Sequence, residues 1–348
     1  MSLSPFIFQY RSLESPSEIR VVSLRRGSGT DLIECVLLHT EIHDQPYQAL
    51  SYEWGLPSDD DPIILMDSFP VRIRTNLHEA LKMIRLPDGD VWMWIDALCI
   101  NQEDPQERGH QVSMMDGIYS SAEIVIVWLG EARDGSDFAM ETFAKPSKLP
   151  QLIKKRSFQE SQRQALVSLA YRSYWSRVWV LQEIYLARSF VVRCGCKCIS
   201  DADLNTALVT FHQDDGQDYC IQIAKSTLEQ HRLAKLFQEK NVFEFNSLGR
   251  WLRVCMVRNL QSSQPHDLIY ALLGIAHDCP KGTIVPDYDK PLLDVYREVA
   301  HFWSRSADCI KLQSQKSRTD FLHNLAIKLG LDYDNDMKRF ISDLVAMY

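Results

Sequence analysis

From the start to about position 200, short apolar runs alternate with turn residues. Ile19 to Leu24 and Leu32 to Leu38, joined by "RRGSGTD", predict a β-hairpin with a glycine-rich loop. Tyr47 to Tyr52 predicts the next strand, and "PIILM" with "VRIR" around "DSFP" predicts another strand pair. A helix follows with Leu77, Leu81 and Ile84 on one face; Asn76 stands at its predicted cap and Glu79 at capping-box spacing. "VWMWID" (Val91 to Asp96) is a strand. Asp104, Pro105 and Glu107 then open a helix whose inner stripe is Val112, Met115, Ile118 and Tyr119. "EIVIVWLG" (Glu123 to Gly130) is a near-continuous apolar strand.

That strand–helix–strand–helix–strand order predicts an α/β fold: a parallel sheet with helices on both faces, preceded by β-hairpin additions. Arg133 to Glu160 is more polar and reads as a connecting insertion with some helix. Ala165 to Ala187 reads as a buried helix broken near Ser173, and "FVVRCG" with "CKCI" as a short hairpin. From about Asp201 the pattern is mainly helical, clearest in "DLIYALLGIAHD" and "LLDVYREVAHFW". The expected organisation is a hairpin extension over 1–46, an α/β domain over 47–200 and a mainly α-helical region over 201–348. "ISDLVAMY" ends the chain inside a helical pattern, which fits either a fragment or a short member of its kind.

Composition narrows the function. A net charge of -8 argues against a nucleic-acid or anionic-membrane binder, and "KKR" at Lys154 to Arg156 is too short to change that. No apolar run approaches the ~20 residues of a bilayer span, and the amino terminus lacks a signal pattern. A cytoplasmic setting is expected. The 9 cysteines are scattered and read as small buried hydrophobes. Cys194, Cys196 and Cys198 alternate, but no fourth ligand accompanies them, so no metal site is expected.

In parallel sheets, ligands sit beyond the carboxyl ends of the strands. The polar residues there are Ser51, Tyr52 and Trp54; Asp96, Asn101 and Gln102; and Gly130 with Glu131. Asp96 could equally order its own loop, and Asn101 and Gln102 could satisfy its backbone. Trp179 and Glu183 lie four apart in "WVLQE". A carboxylate among Val180, Leu181 and Ile184 needs a partner or a job. Its partner could be Arg177, Arg188 or a sheet-edge arginine.

"YQALSYEWG", "NLHEAL", "WIDALCINQEDPQERGHQVSMMDGIYSSAEIVIVWLG" and "YWSRVWVLQEIYLA", in that order from Tyr47 to Ala187, closely resemble the fungal heterokaryon-incompatibility (HET) domain. "HDLIYALLGIA" and "VPDYDKPLLDVYREVA" resemble the region that often follows it, with His266 where the family commonly has arginine. The HET domain is in turn similar to the TIR domain, a flavodoxin-like α/β fold. "LSY", "WID" and "WVLQE" look like its first strand, the strand before its recognition loop and its acid-bearing helix. The resemblance implies a role in nonself recognition, regulated cell death and innate immunity, self-association, a possible incompatibility partner, and NAD+ as substrate with no cofactor required. It implies Glu183 as the catalytic carboxylate. Trp54 or Tyr52 would stack on a dinucleotide ring, and Asp96 and Asn101 would bond ribose or amide groups. Ser51, Tyr52 or Arg177 would keep the acid charged, and Gln102 and Trp179 complete the binding set. The competing reading is a non-enzymatic signalling module that works by association.

Overall fold

In the computed structural model the described residues are 8–214, 216–226, 228, 246–258, 260–312 and 314–347. The chain divides into two compact units. The first comprises residues 1–102, 117–175 and 187–232; the second comprises 103–116, 176–186 and 233–348.

The first unit holds a nine-stranded sheet. Its strands are β1 (Glu18–Leu24), β2 (Glu34–Glu41), β3 (Gln48–Tyr52), β4 (Ile63–Met66), β5 (Phe69–Arg72), β6 (Val91–Trp94), β7 (Ile124–Trp128), β8 (Phe190–Cys194) and β9 (Lys197–Ser200). The order across it is β5-β4-β2-β1-β6-β3-β7-β8-β9. The sheet is mixed, which corrects the expectation of a parallel sheet with hairpins added to it. β3 runs parallel to β6 and β7, and β7 parallel to β8. The hairpins extend this parallel centre instead of lying outside it, because β1 pairs antiparallel with both β2 and β6. β1 is buried along its whole length. Its Arg20 is tolerated inside because its guanidinium donates to the carbonyls of Cys99 and Arg11.

Tight turns set the hairpins. Asp67 and Ser68 both have positive φ (48° and 72°), as a two-residue β4–β5 connection requires. Cys194 pairs with Lys197 across the β8–β9 turn. That turn divides Cys194 from Cys196 and Cys198, so the three cysteines do not share one strand face as their alternation suggested.

Helix α1 (Thr75–Ile84) joins β5 to β6, and its predicted cap is corrected. The residue before it is Arg74, and Asp61 from the preceding loop accepts from the Thr75 N–H at 3.2 Å. Arg74 ion-pairs with the same carboxylate at 2.9 Å. These donors, the Arg74 guanidinium foremost, hold the Asp61 carboxyl below its ordinary range. A short helix α2 (Asp96–Cys99) follows β6. Helix α3 (Pro105–Ser121) is capped as its sequence predicts, with Asp104 accepting from the Gln106 and Glu107 N–H groups. Its end is tied to β3, since the Tyr47 hydroxyl donates to the Ile118 carbonyl and the Tyr119 hydroxyl to that of Leu50.

Between β7 and β8 lie α4 (Ser136–Phe143), α5 (Leu149–Lys154), α6 (Glu160–Ala170) and α7 (Val180–Tyr185). A 3-10 turn at Ser173–Ser176 separates the last two, at the expected break. The second unit contains α7 and helices spanning Leu248–Val257, Asp267–Leu273, Leu292–Ser304, Ala307–Lys311, Gln315–Lys328 and Asn335–Met347. The chain just before α7 is held by Gln261, which bonds the Val178 N–H and the Ser176 carbonyl.

Candidate functional site

The candidate residues divide between the two units. Ser51, Tyr52, Trp54, Asp96, Asn101 and Gln102 belong to the first; Arg177, Trp179 and Glu183 belong to the second.

In the first unit β3 ends on Ser51 and Tyr52, both 1% exposed. The Ser51 hydroxyl is hydrogen-bonded to that of Tyr174. Trp54 lies past the strand and is exposed, and its indole N–H donates to Asp96 at 2.9 Å. The other Asp96 oxygen accepts from the Ala97 N–H at 2.7 Å, and Gln102 donates to the Asp96 carbonyl. Asp96 therefore orders its loop and clamps Trp54 in one place. Asn101 is half-buried in the same loop.

Sequence reasoning missed a second set of groups at the ends of β3 and β7. The Asn76 amide donates to the Glu53 carbonyl at 2.6 Å and accepts from the Trp128 indole at 2.9 Å. Arg172, buried, donates to the carbonyls of Leu129, Glu131 and Arg133. Burial lowers its guanidinium pKa. Ser173 donates to the Glu53 carboxylate at 2.6 Å. Gly130 has φ of 91°, and a side chain there would stand against both Arg172 and Asn76. An asparagine next to a helix start reads as a cap, and an arginine in a loop reads as surface. Only the fold shows that both serve strand ends.

In the second unit every residue of α7 is buried. The Glu183 carboxylate is 2% exposed and faces the Arg177 guanidinium, with one oxygen 3.4 Å from each terminal nitrogen. This pairing is one of the partners the sequence offered for it. Trp179, one turn earlier, donates its indole N–H to Asp267. Tyr288 donates to the same carboxylate at 2.8 Å, and the Arg108 guanidinium lies 4.3 Å from the Tyr288 ring centroid. Burial raises the Asp267 pKa above its ordinary value, with the Tyr288 and Trp179 donors opposing it. Burial and the nearby Asp267 charge raise that of Tyr288. His266 faces the Lys290 carbonyl at 2.9 Å.

All nine cysteines are free thiols, and Cys196 and Cys198 are exposed. No group of three His, Cys, Asp or Glu side chains among the described residues could hold a metal ion. Among the same residues no helix is long and apolar enough to cross a membrane.

The geometry thus defines an α/β protein with polar groups gathered at strand ends and a buried carboxylate on a short helix, paired with an arginine just before it. Residues 47–183 match the family model described as "Heterokaryon incompatibility protein (HET)". The chain is 27% identical over 353 aligned positions to "Heterokaryon incompatibility protein 6, OR allele" of Neurospora crassa, a match covering 81% of this chain and 51% of that protein. The chain therefore spans about half the length of that curated relative. No solved structure matches.

Proposed function

We propose that this is a HET-domain protein of fungal nonself recognition and that it cleaves the nicotinamide–ribose bond of NAD+, with Glu183 as the catalytic carboxylate. The observation that carries the proposal is a buried carboxylate held by a guanidinium in "WVLQE". A TIR-like, flavodoxin-like fold is part of the reading. It is supported by the parallel strands β6-β3-β7-β8, which in chain order are second, first, third and fourth. That is the beginning of the doubly wound order whose ligands bind where the strand order reverses.

Cleavage passes through an oxocarbenium-like state; the nicotinamide leaves neutral, and water bonds to the ribose carbon in its place and gives up a proton. A general acid is not required. A carboxylate beside the ribose stabilises the positive charge that develops on it. Arg177 faces both oxygens of Glu183 and orients the carboxylate for this step.

Concentrated protein given NAD+ is expected to release nicotinamide, and Glu183→Gln to lower the rate by about 100-fold or more. Folded, assembled wild type that releases none would overturn the enzymatic reading. Full activity in Glu183→Gln would overturn the assignment of the acid.

The Arg177–Glu183 ion pair also favours a second reading, in which the acid is structural and the domain signals by association with itself or a partner. Under that reading Glu183→Gln changes stability, and no nicotinamide appears at any concentration.

A further inference from the structure

The second unit contains a cavity of about 200 Å³ unconnected with the roles assigned above. Val112, Leu273, Cys279, Ile284 and the Tyr270 ring are among the residues that line it. The Tyr270 hydroxyl is already used, donating to the Asp287 carbonyl at 2.8 Å. Burial pushes the Cys279 thiol up to about 11, so it is neutral. Among the described residues Lys281 is the one charged side chain lining the cavity, and Asp116 pairs with it at 2.8 Å.

Gln182 is the exception in this wall. It is 2% exposed, and its Oε1 accepts no hydrogen bond among the described residues. A buried carbonyl oxygen without a donor destabilises the fold. The chain nevertheless makes room for this amide, because a side chain on Gly274 would lie 2.4 Å from the Gln182 nitrogen and 2.7 Å from the Asp116 Cβ. The terminal torsion of glutamine is broad and roughly two-fold, so either end of the amide can turn to a guest.

We propose that this cavity binds a small neutral ring compound carrying one N–H or O–H donor, which satisfies the Gln182 carbonyl. Apolar cavities of about 150 Å³ accept benzene, so this one has space for a single ring with a substituent or a small bicycle. A charged guest is excluded, since the one charged lining group, Lys281, is already paired with Asp116.

Indole and indene test this on the full chain. They share a shape and differ in the N–H. Calorimetric titration is expected to show indole binding about tenfold more tightly than indene, with indole raising Tm more at equal concentration. Gln182→Leu is expected to bring the two within twofold of each other. Ser113→Trp, placed at an exposed residue of the lining, is expected to abolish binding of both. The proposal is overturned if wild type binds indene as tightly as indole, or binds neither up to their solubility. An indole preference that survives Gln182→Leu, or binding that survives Ser113→Trp, overturns it as well. The wild-type comparison decides even where a variant fails to fold.

Discussion

Asp267 shows how one side chain couples packing to pH. It is a buried acid whose neutral donors are the Tyr288 hydroxyl, the Trp179 indole and the backbone of Gln264. Neutral donors offset only part of the cost of burying a charge, so its folded pKa stands above the unfolded value. The native state then holds the proton more tightly than the unfolded chain. This contribution to stability is complete below pH about 4 and is lost as pH rises through the folded pKa. Asp267→Asn keeps a carbonyl acceptor and cannot ionise. Its stability relative to wild type is therefore expected to increase as pH is raised from about 4, then level off. Urea unfolding of both proteins across that range measures the difference directly. A difference that does not change with pH would show that Asp267 keeps its ordinary titration. None of this was legible from "HDLIYALL", where Asp267 reads as a helix-start acid. Its partner Trp179 is 88 residues away in the chain, and the local pattern cannot show that pairing.

At the level of elements, the strands and most helix positions were legible because each carries its own periodicity. β3, β6 and β7 are strong apolar runs, and the break between α6 and α7 falls where expected. The sheet order was not legible. Joining β1 to β6 depends on long-range pairing that leaves no local mark. The same limit hid Asn76, which stands in α1 yet holds the ends of β3 and β7 through Glu53 and Trp128. Asn76→Ala removes an acceptor from a fully buried indole and a donor from a strand-end carbonyl. The expected loss is about 1–3 kcal/mol, seen as a lower urea midpoint with unchanged slope. Asn76→Asp keeps the acceptor and loses the donor, so its loss should be the smaller of the two. If alanine costs nothing, the link from α1 to the two strands does not stabilise the sheet. Among the strand-end candidates, Trp54 was correctly legible as a residue beyond the sheet, whereas the engagement of Ser51 by Tyr174 was not.

For the whole molecule, charge decides how the two functional readings can be separated. The chain carries a net charge of -8, so two copies repel each other over distances set by salt. The screening length falls from about 30 Å at 0.01 M ionic strength to about 10 Å at 0.1 M. If the protein works by self-association through mainly apolar contacts, raising the salt over that range should strengthen assembly. Sedimentation velocity at several concentrations reads this as a lower midpoint. Weaker assembly at higher salt would place complementary charges at the contact, and a monomer throughout would remove association from both readings. The same samples then serve for chemistry. Under the enzymatic reading, nicotinamide release per molecule should rise with the assembled fraction. Glu183→Gln should assemble like wild type and release about 100-fold less. Normal assembly with no release from wild type would instead assign the protein's action to contact alone. Glu183 would then be the structural partner of Arg177, and breaking the pair from either side should cost stability without altering any reaction.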